Sequence, residues 1–378
     1  MRFRWFTLAT VLGATCSWAL PAPLAGHEAA SYHYDAPEPQ QALARGVSAI
    51  VQKPVTERGF HTGAALFDRE WVFGTYMMAA MGLGQVADLN RASRDEHLAV
   101  MQHCIDQLLT ERVRRFDTDA WGTDALRSLS TDQGHVAYLG YLDLVLGLHR
   151  KLDRGSRYRD LNDAISNALW RRYRASRSKM LATYPNEYYP VDNLAAIGAL
   201  ALHARVTGAD RDAELEALVG AVRARYLDRT TGLLIQRVDG HGRAVDAGRG
   251  SGTALGAYFA SWASPALASS LHGALKHHLT RTPLGFGMVR EYVHEGGSGD
   301  IDSGPILLGM SISATGFSLA SARVTGDFAH FEAVYRTAHL FGAPTRTGPN
   351  LTFVTGGPLG NALMLALMTA PRPGEGGL

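Results

Sequence analysis

The chain has 378 residues, 46% hydrophobic, 19% charged and 9% aromatic, which is ample for a large core and too apolar for a disordered chain. Its 37 Lys and Arg against 35 Asp and Glu leave a formal charge of only +2, without a basic run or an aromatic–basic stripe, so nucleic acid is not an expected partner.

Residues 1–19 read as an export signal. Arg2 and Arg4 give the positive start, Trp5 to Ala14 the short apolar run, and Ser17-Trp18-Ala19 the small residues that a signal peptidase reads. So short a run, followed by Pro21 and Pro23, is a poor membrane span. The mature chain is therefore expected in the periplasm or outside the cell with no stable membrane span, an uncleaved anchor being the alternative. Cys16 falls in this leader and leaves Cys104 alone, which excludes an internal disulfide and finger-type zinc sites. Residues 20–37, rich in Pro, Ala and His, read as a linker; 38–372 as one domain; 373–378 as a tail.

From there two kinds of helical segment alternate. Glu38–Gln52, Arg94–Val113, Tyr158–Ala175, Asp210–Tyr226, Pro265–Leu279 and Asp327–Phe341 carry an apolar stripe with charged residues between. Trp71–Ala87, His135–Leu148, Asn193–Val206, Gly252–Ser264, Gly304–Val324 and Pro358–Thr369 are apolar nearly all round and rich in Gly, Ala and Ser, as buried helices are. The buried segments recur every roughly 50–60 residues, the mark of an internal repeat. Ala204-Arg205-Val206-Thr207-Gly208 and Ala322-Arg323-Val324-Thr325-Gly326 echo one another, each Gly suited to close a helix and an Asp following to cap the next. Six such pairs predict an all-α fold, an (α/α)6 toroid or barrel. The strand-like runs Leu233–Val238 and Met288–Val293 would form small hairpins over one mouth.

Several stretches together resemble the linalool dehydratase/isomerase family: Trp121-Gly122-Thr123-Asp124, Gly140-Tyr141-Leu142-Asp143-Leu144, Gly155-Ser156-Arg157-Tyr158, Pro185 to Asn193, and Arg290-Glu291-Tyr292. The resemblance implies an exported (α/α)6 barrel acting on a small terpene alcohol without a cofactor. That family's two active-site cysteines correspond to Thr183 and Asp192 here, and its histidine to Tyr141, with His135 the alternative under a shifted alignment. A thiol mechanism is therefore not carried over.

In such a barrel the N-terminal ends of the inner helices form the mouth, where helix dipoles favour anions. Asp192 and Asn193 follow the stiff aromatic stretch Tyr184-Pro185-Asn186-Glu187-Tyr188-Tyr189-Pro190, which offers flat faces to a sugar or terpene; Asp192 would serve as an acid/base group, or merely cap its helix. Glu291, Asp300 and Asp302 flank a Gly-rich loop and are further catalytic candidates, with calcium binding or helix capping as the alternatives. Glu70, beside Trp71 at the opening of the first inner helix, is a catalytic carboxylate or the partner of a nearby Arg; Trp121, Asp124 and His135 belong to the next mouth loop, Asp124 and His135 as acid/base groups, or His135 as a core residue; and Arg249 is a clamp for a substrate anion or the partner of a mouth carboxylate. Phosphate loops, dinucleotide fingerprints, His-Glu-x-x-His and Gly-x-Ser-x-Gly are absent, so neither a cofactor nor a metal is expected.

Three functions fit. The first is (de)hydration or isomerisation of a small alcohol or terpenoid by carboxylates and tyrosines, as the resemblance implies. The second is a glycan hydrolase or lyase with paired carboxylates. The third is a non-catalytic envelope barrel that binds a glycan or lipid. The partner is then a small-molecule or glycan substrate, and an oligomer is compatible with all three.

Overall fold

The computed structural model describes residues 21–294, 299–300 and 303–373; the leader, Asp302 and most of the tail lie outside them. The helices in chain order are α1 (Pro21–Gly26), α2 (Ala29–His33), α3 (Pro37–Val51), α4 (Ala65–Leu89), α5 (Arg94–Leu108), α6 (Glu111–Trp121), α7 (Val136–Leu152), α8 (Arg159–Ala175), α9 (Pro190–Thr207), α10 (Asp212–Arg225), α11 (Gly250–Ser261), α12 (Pro265–His278), α13 (Ile312–Val324), α14 (Phe328–Gly342) and α15 (Gly357–Met368).

The six segments apolar on every side, α4, α7, α9, α11, α13 and α15, pack each on the next, and α15 returns to α4 and closes the ring. The amphipathic helices lie outside: α5 on α4, α8 on α7, α10 on α9, α12 on α11 and α14 on α13, while the early helix α3 covers the last inner helix, α15. This is an (α/α)6 barrel. Small residues set its girth. A Cβ on Gly140 would stand 2.9 Å from the Cβ of Ala196, where α7 meets α9, and one on Gly82 would meet the backbone of Ala366 at 2.8 Å, where α4 meets α15. Inside, Tyr258 Oη donates to Gln85 Oε1 at 2.7 Å, from α11 to α4 on opposite sides of the ring. Gln85 Nε2 donates to the Ala366 carbonyl at 2.8 Å. Both side chains are buried, so the hollow is filled at this depth.

Several boundaries differ from expectation, each for a local reason. The stretch 20–37 is no linker: α1 and α2 pack on α14, and the fully buried Arg323 donates to the carbonyls of Tyr32 and His33 and to the Asp35 carboxylate. The segment Arg94–Val113 is two helices, because Thr110 Oγ1 accepts the Val113 amide at 3.3 Å and starts α6. Residues 304–311 precede α13 as a hairpin, β3 (Ile306–Leu307) with β4 (Met310–Ser311). The run 288–293 contributes β2 (Met288–Val289), paired with β1 (Thr280–Arg281), whereas 233–238 makes only isolated bridges. A third hairpin joins β5 (Pro344–Thr347) to β6 (Asn350–Phe353). Gly208 and Gly326 both take the left-handed conformation, at φ 70° and 73°. Asp327 then caps α14 through the His330 amide, but Asp210 does not cap α10, whose N-cap is Arg211.

Candidate active site

Pro190 sits at the start of α9, where a missing N–H costs nothing, and places Asp192 in the first turn. Asp192 does not cap its helix. Its Oδ1 accepts Tyr141 Oη, from α7, at 2.7 Å, and its Oδ2 accepts Thr183 Oγ1, from the preceding loop, at 2.7 Å. Burial pushes the Asp192 carboxyl above the usual range, and the two hydroxyls, which favour the charged form, pull it back only in part. The floor beneath is apolar: the Tyr141 ring meets Phe73 and Phe259 edge-on, at 6.5 and 5.2 Å between centroids. Thr183 is itself held, its N–H donating to the Glu187 carbonyl at 2.8 Å and its carbonyl accepting Trp121 Nε1 at 3.2 Å.

Tyr184 is the common neighbour of the acidic groups. Burial raises its hydroxyl well above the ordinary range, and the charges of Glu70, Asp192 and Asp117 all add to the effect. Carboxylates from α4, α9 and α6 therefore all bear on one phenol. Glu70 comes from the first turns of α4; Trp71, next to it, packs edge-on against Phe60 at 5.7 Å.

Asp117 was not foreseen. It shares the inward face of α6 with Val113 and Phe116, and that apolar spacing is the one signal that could have marked it. Its Oδ2 lies 2.7 Å from His135 Nδ1, and both side chains are fully buried. Burial raises the Asp117 carboxyl, and His135 opposes this. The His135 ring stacks on Trp121 at 4.5 Å, and its Nε2 has no hydrogen-bond partner among the described residues. His135 also takes a left-handed φ of 48° at the start of α7, uncommon for a side-chain-bearing residue.

A second network gathers at the start of α11. Arg249 donates Nε to Glu291 Oε1 at 2.9 Å and both Nη atoms to Asp300 at 2.6 and 2.9 Å, with its guanidinium over the Tyr292 ring at 5.3 Å. Ser251 Oγ donates to the fully buried Glu291 at 2.6 Å. Arg249 is thus a partner of mouth carboxylates rather than an anion clamp, and Glu291 is committed to holding the loop.

Other residues named from the sequence have structural duties. Asn193, expected to touch substrate, is fully buried: Oδ1 accepts Tyr173 Oη at 2.9 Å and the Leu181 amide at 2.8 Å, and Nδ2 donates to the carbonyls of Leu181 and Tyr189, both at 3.0 Å. Asp124 pairs with Arg114 and accepts the Leu126 and Arg127 amides, so it fastens its own turn. Tyr189 Oη donates to Glu187 Oε2 at 2.9 Å, and the Tyr188 carbonyl accepts the Val238 amide at 3.0 Å, which ties the aromatic loop to residues 233–238. Among the described residues no three His, Cys, Asp or Glu are placed to hold a metal ion, and no helix is long and apolar enough to cross a membrane.

No family model matches the chain, and no curated protein matches it in sequence. Solved structures are similar in fold. A family 105 glycoside hydrolase from C. acetobutylicum is 12% identical over 78% of this chain and 92% of its own, with a TM-score of 0.54. The unsaturated glucuronyl hydrolase of Bacillus sp. GL1, responsible for degradation of glycosaminoglycan, is 15% identical over 87% and 94%, with a TM-score of 0.53. An inactive variant of an α-1,6-mannanase from Salegentibacter sp. HEL1_6, in complex with α-1,6-mannotriose, is 14% identical over 88% and 98%, with a TM-score of 0.52. None of these is a linalool dehydratase/isomerase; at such identities the likeness extends to the (α/α) barrel architecture.

Proposed function

We propose that the protein is an exported glycan-processing enzyme, a hydrolase or lyase, with its chemistry centred on Asp192 and Glu70. The observation that carries the proposal is a buried carboxyl held between the hydroxyls of Tyr141 and Thr183 and kept above its usual pKa, with Glu70 a second carboxylate whose charge, like that of Asp192, acts on Tyr184. A general acid needs a pKa raised towards the working pH, and burial at the mouth supplies that. Asp192 gives its proton to the departing sugar oxygen. Tyr141 and Thr183 then donate to the carboxylate left behind, stabilising charge where it develops. Glu70 is assigned the base, activating water in hydrolysis or taking a proton from sugar carbon in elimination. The barrels of like fold described as an α-1,6-mannanase and as responsible for the degradation of glycosaminoglycan support the same substrate class.

The small-alcohol reading is second, and the apolar floor of Phe73 and Phe259 under Tyr141 favours it. Apolar surroundings of that kind suit protonation of a hydroxyl to leave as water. One panel separates the two. Purified protein is assayed on α-1,6-mannan oligosaccharides, unsaturated uronic oligosaccharides and small terpene alcohols, beside Asp192→Asn and Glu70→Gln checked for fold by circular dichroism. We expect turnover of a glycan and its loss by a factor of about 100 or more in Asp192→Asn. Full turnover by a folded Asp192→Asn would remove the residue from the mechanism, and turnover of terpene alcohols alone would give precedence to the second reading.

A further inference from the structure

Against the loop that carries Thr183, with Ala182 and Pro185 in its lining, lies a groove of about 490 Å3. Two aromatic residues, Trp121 and Tyr188, line it together with the polar side chains of Asp132, Gln133 and Asn186. From this groove we infer a second carbohydrate site: a subsite that seats one neutral hexopyranose ring of the glycan, adjoining the acid Asp192. The inference rests on the glycan reading above and adds to it where a second sugar unit binds.

Three observations point to a sugar rather than to an ion or a lipid. Flat aromatic faces combined with a carboxylate and two carboxamides match a pyranose, whose C–H face stacks while its rim of hydroxyls takes hydrogen bonds. Among the described residues the walls carry no cluster of like charge: Arg172, the one cation among those that line the groove, is 2% exposed and spends its guanidinium on the carbonyls of Ser128, Thr131 and Gly134. The platform is also rigid before anything binds. Trp121 is stacked on His135 at 4.5 Å and its indole N–H is tied to the Thr183 carbonyl at 3.2 Å, so little side-chain freedom is lost on stacking. Gly134 and Ala182, both in the lining, pack backbone against backbone, since a Cβ on Gly134 would stand 2.2 Å from the Ala182 carbonyl oxygen.

The groove touches the chemistry through one residue. Thr183 accepts Trp121 on its backbone and donates to Asp192 from its side chain. A ring seated against Trp121 is therefore linked to the acid through Thr183. Binding energy from that unit positions the bond to be broken, and the enzyme prefers chains over single sugars.

The test uses the whole protein carrying 5-fluorotryptophan, which reports its tryptophans as separate fluorine resonances. Trp121 is assigned by loss of its signal in Trp121→Phe, and Trp71 by Trp71→Phe. Methyl α-mannopyranoside, methyl β-glucopyranoside and N-acetylglucosamine are titrated to about 100 mM, the range in which one stacked ring with a few hydrogen bonds is bound. We expect the Trp121 resonance to shift saturably with at least one sugar. Gln133→Ala and Tyr188→Ala should each weaken that response about fivefold or more, and Asp192→Asn should leave it in place. If no sugar moves Trp121, or if the shift ignores both groove variants, the subsite is refuted. Movement of Trp71 alone would refute the groove while leaving a sugar site at the mouth; movement of neither would count against both.

Discussion

Asp143 offers the sharpest test of how burial sets proton affinity in this barrel. It lies on α7, fully buried, with Oδ1 accepting Asn162 Nδ2 at 2.7 Å and Oδ2 accepting Ser166 Oγ at 2.6 Å, both from α8. Burial moves its carboxyl from 3.8 to about 7, although the two donors oppose the shift. A carboxyl whose folded value is raised holds its proton longer when folded than when unfolded. Its contribution is therefore fully present below about pH 4 and falls as the pH climbs to about 7, above which it stays flat. Each pH unit in that window costs about 1.4 kcal/mol, so between about pH 5 and about pH 8 the wild type gives up about 3 kcal/mol at this site. Asp143→Asn has the same shape, keeps an acceptor for Asn162 and carries no charge, so it escapes the loss. Guanidinium unfolding followed by far-ultraviolet circular dichroism at both pH values measures the difference. The variant should gain on the wild type by about 3 kcal/mol towards the alkaline end. A stability gap that stays constant with pH, or narrows, would refute the argument that burial outweighs the two hydrogen bonds.

Three further outcomes are expected. Tyr141→Phe takes one donor from the charged form of Asp192, so its pKa rises; since activity needs the protonated acid, the alkaline limb of the kcat/KM profile should move up by about one pH unit. Immobility of that limb would count against Asp192 as the acid. Arg323→Met deprives Tyr32, His33, Asp35 and Ala370 of their shared donor, while Gln40 and Arg372 still donate to Asp35. A loss of about 3–5 kcal/mol follows, with residues 21–35 cut early in limited proteolysis; a wild-type digestion pattern would contradict it. Gly46→Ala drives a Cβ to 1.9 Å from the Leu351 carbonyl oxygen, between α3 and β6. It should lower Tm by an amount corresponding to about 1–3 kcal/mol while kcat/KM of the folded fraction stays unchanged.

The architecture was legible because its physics is periodic. Segments apolar on every side cannot face water, segments with one stripe cannot sit in the centre, and six of each in alternation close a ring. What the pattern could not reveal is which way a single polar residue turns. Asp192 and Asn193 are neighbours in sequence, yet successive side chains on a helix diverge by about 100°. Asp192 faces Tyr141 at the mouth, while Asn193 turns to Tyr173 on the outer helix and fastens the loop. The same divergence separates Tyr141 from Asp143 within one motif, the first reaching the acid and the second the bond to α8. Composition misled at residues 20–37, where Pro21 and Pro37 each open a helix rather than mark a linker. Partners such as Asp117 for His135, 18 residues away, or Thr183 for Asp192, nine away, depend on how the loops fold back. The reading that survives this filter is narrow. A carboxyl at the start of a buried helix is worth attention when its own helix does not use it as a cap, because a first-turn acid without that duty must answer to whatever occupies the mouth.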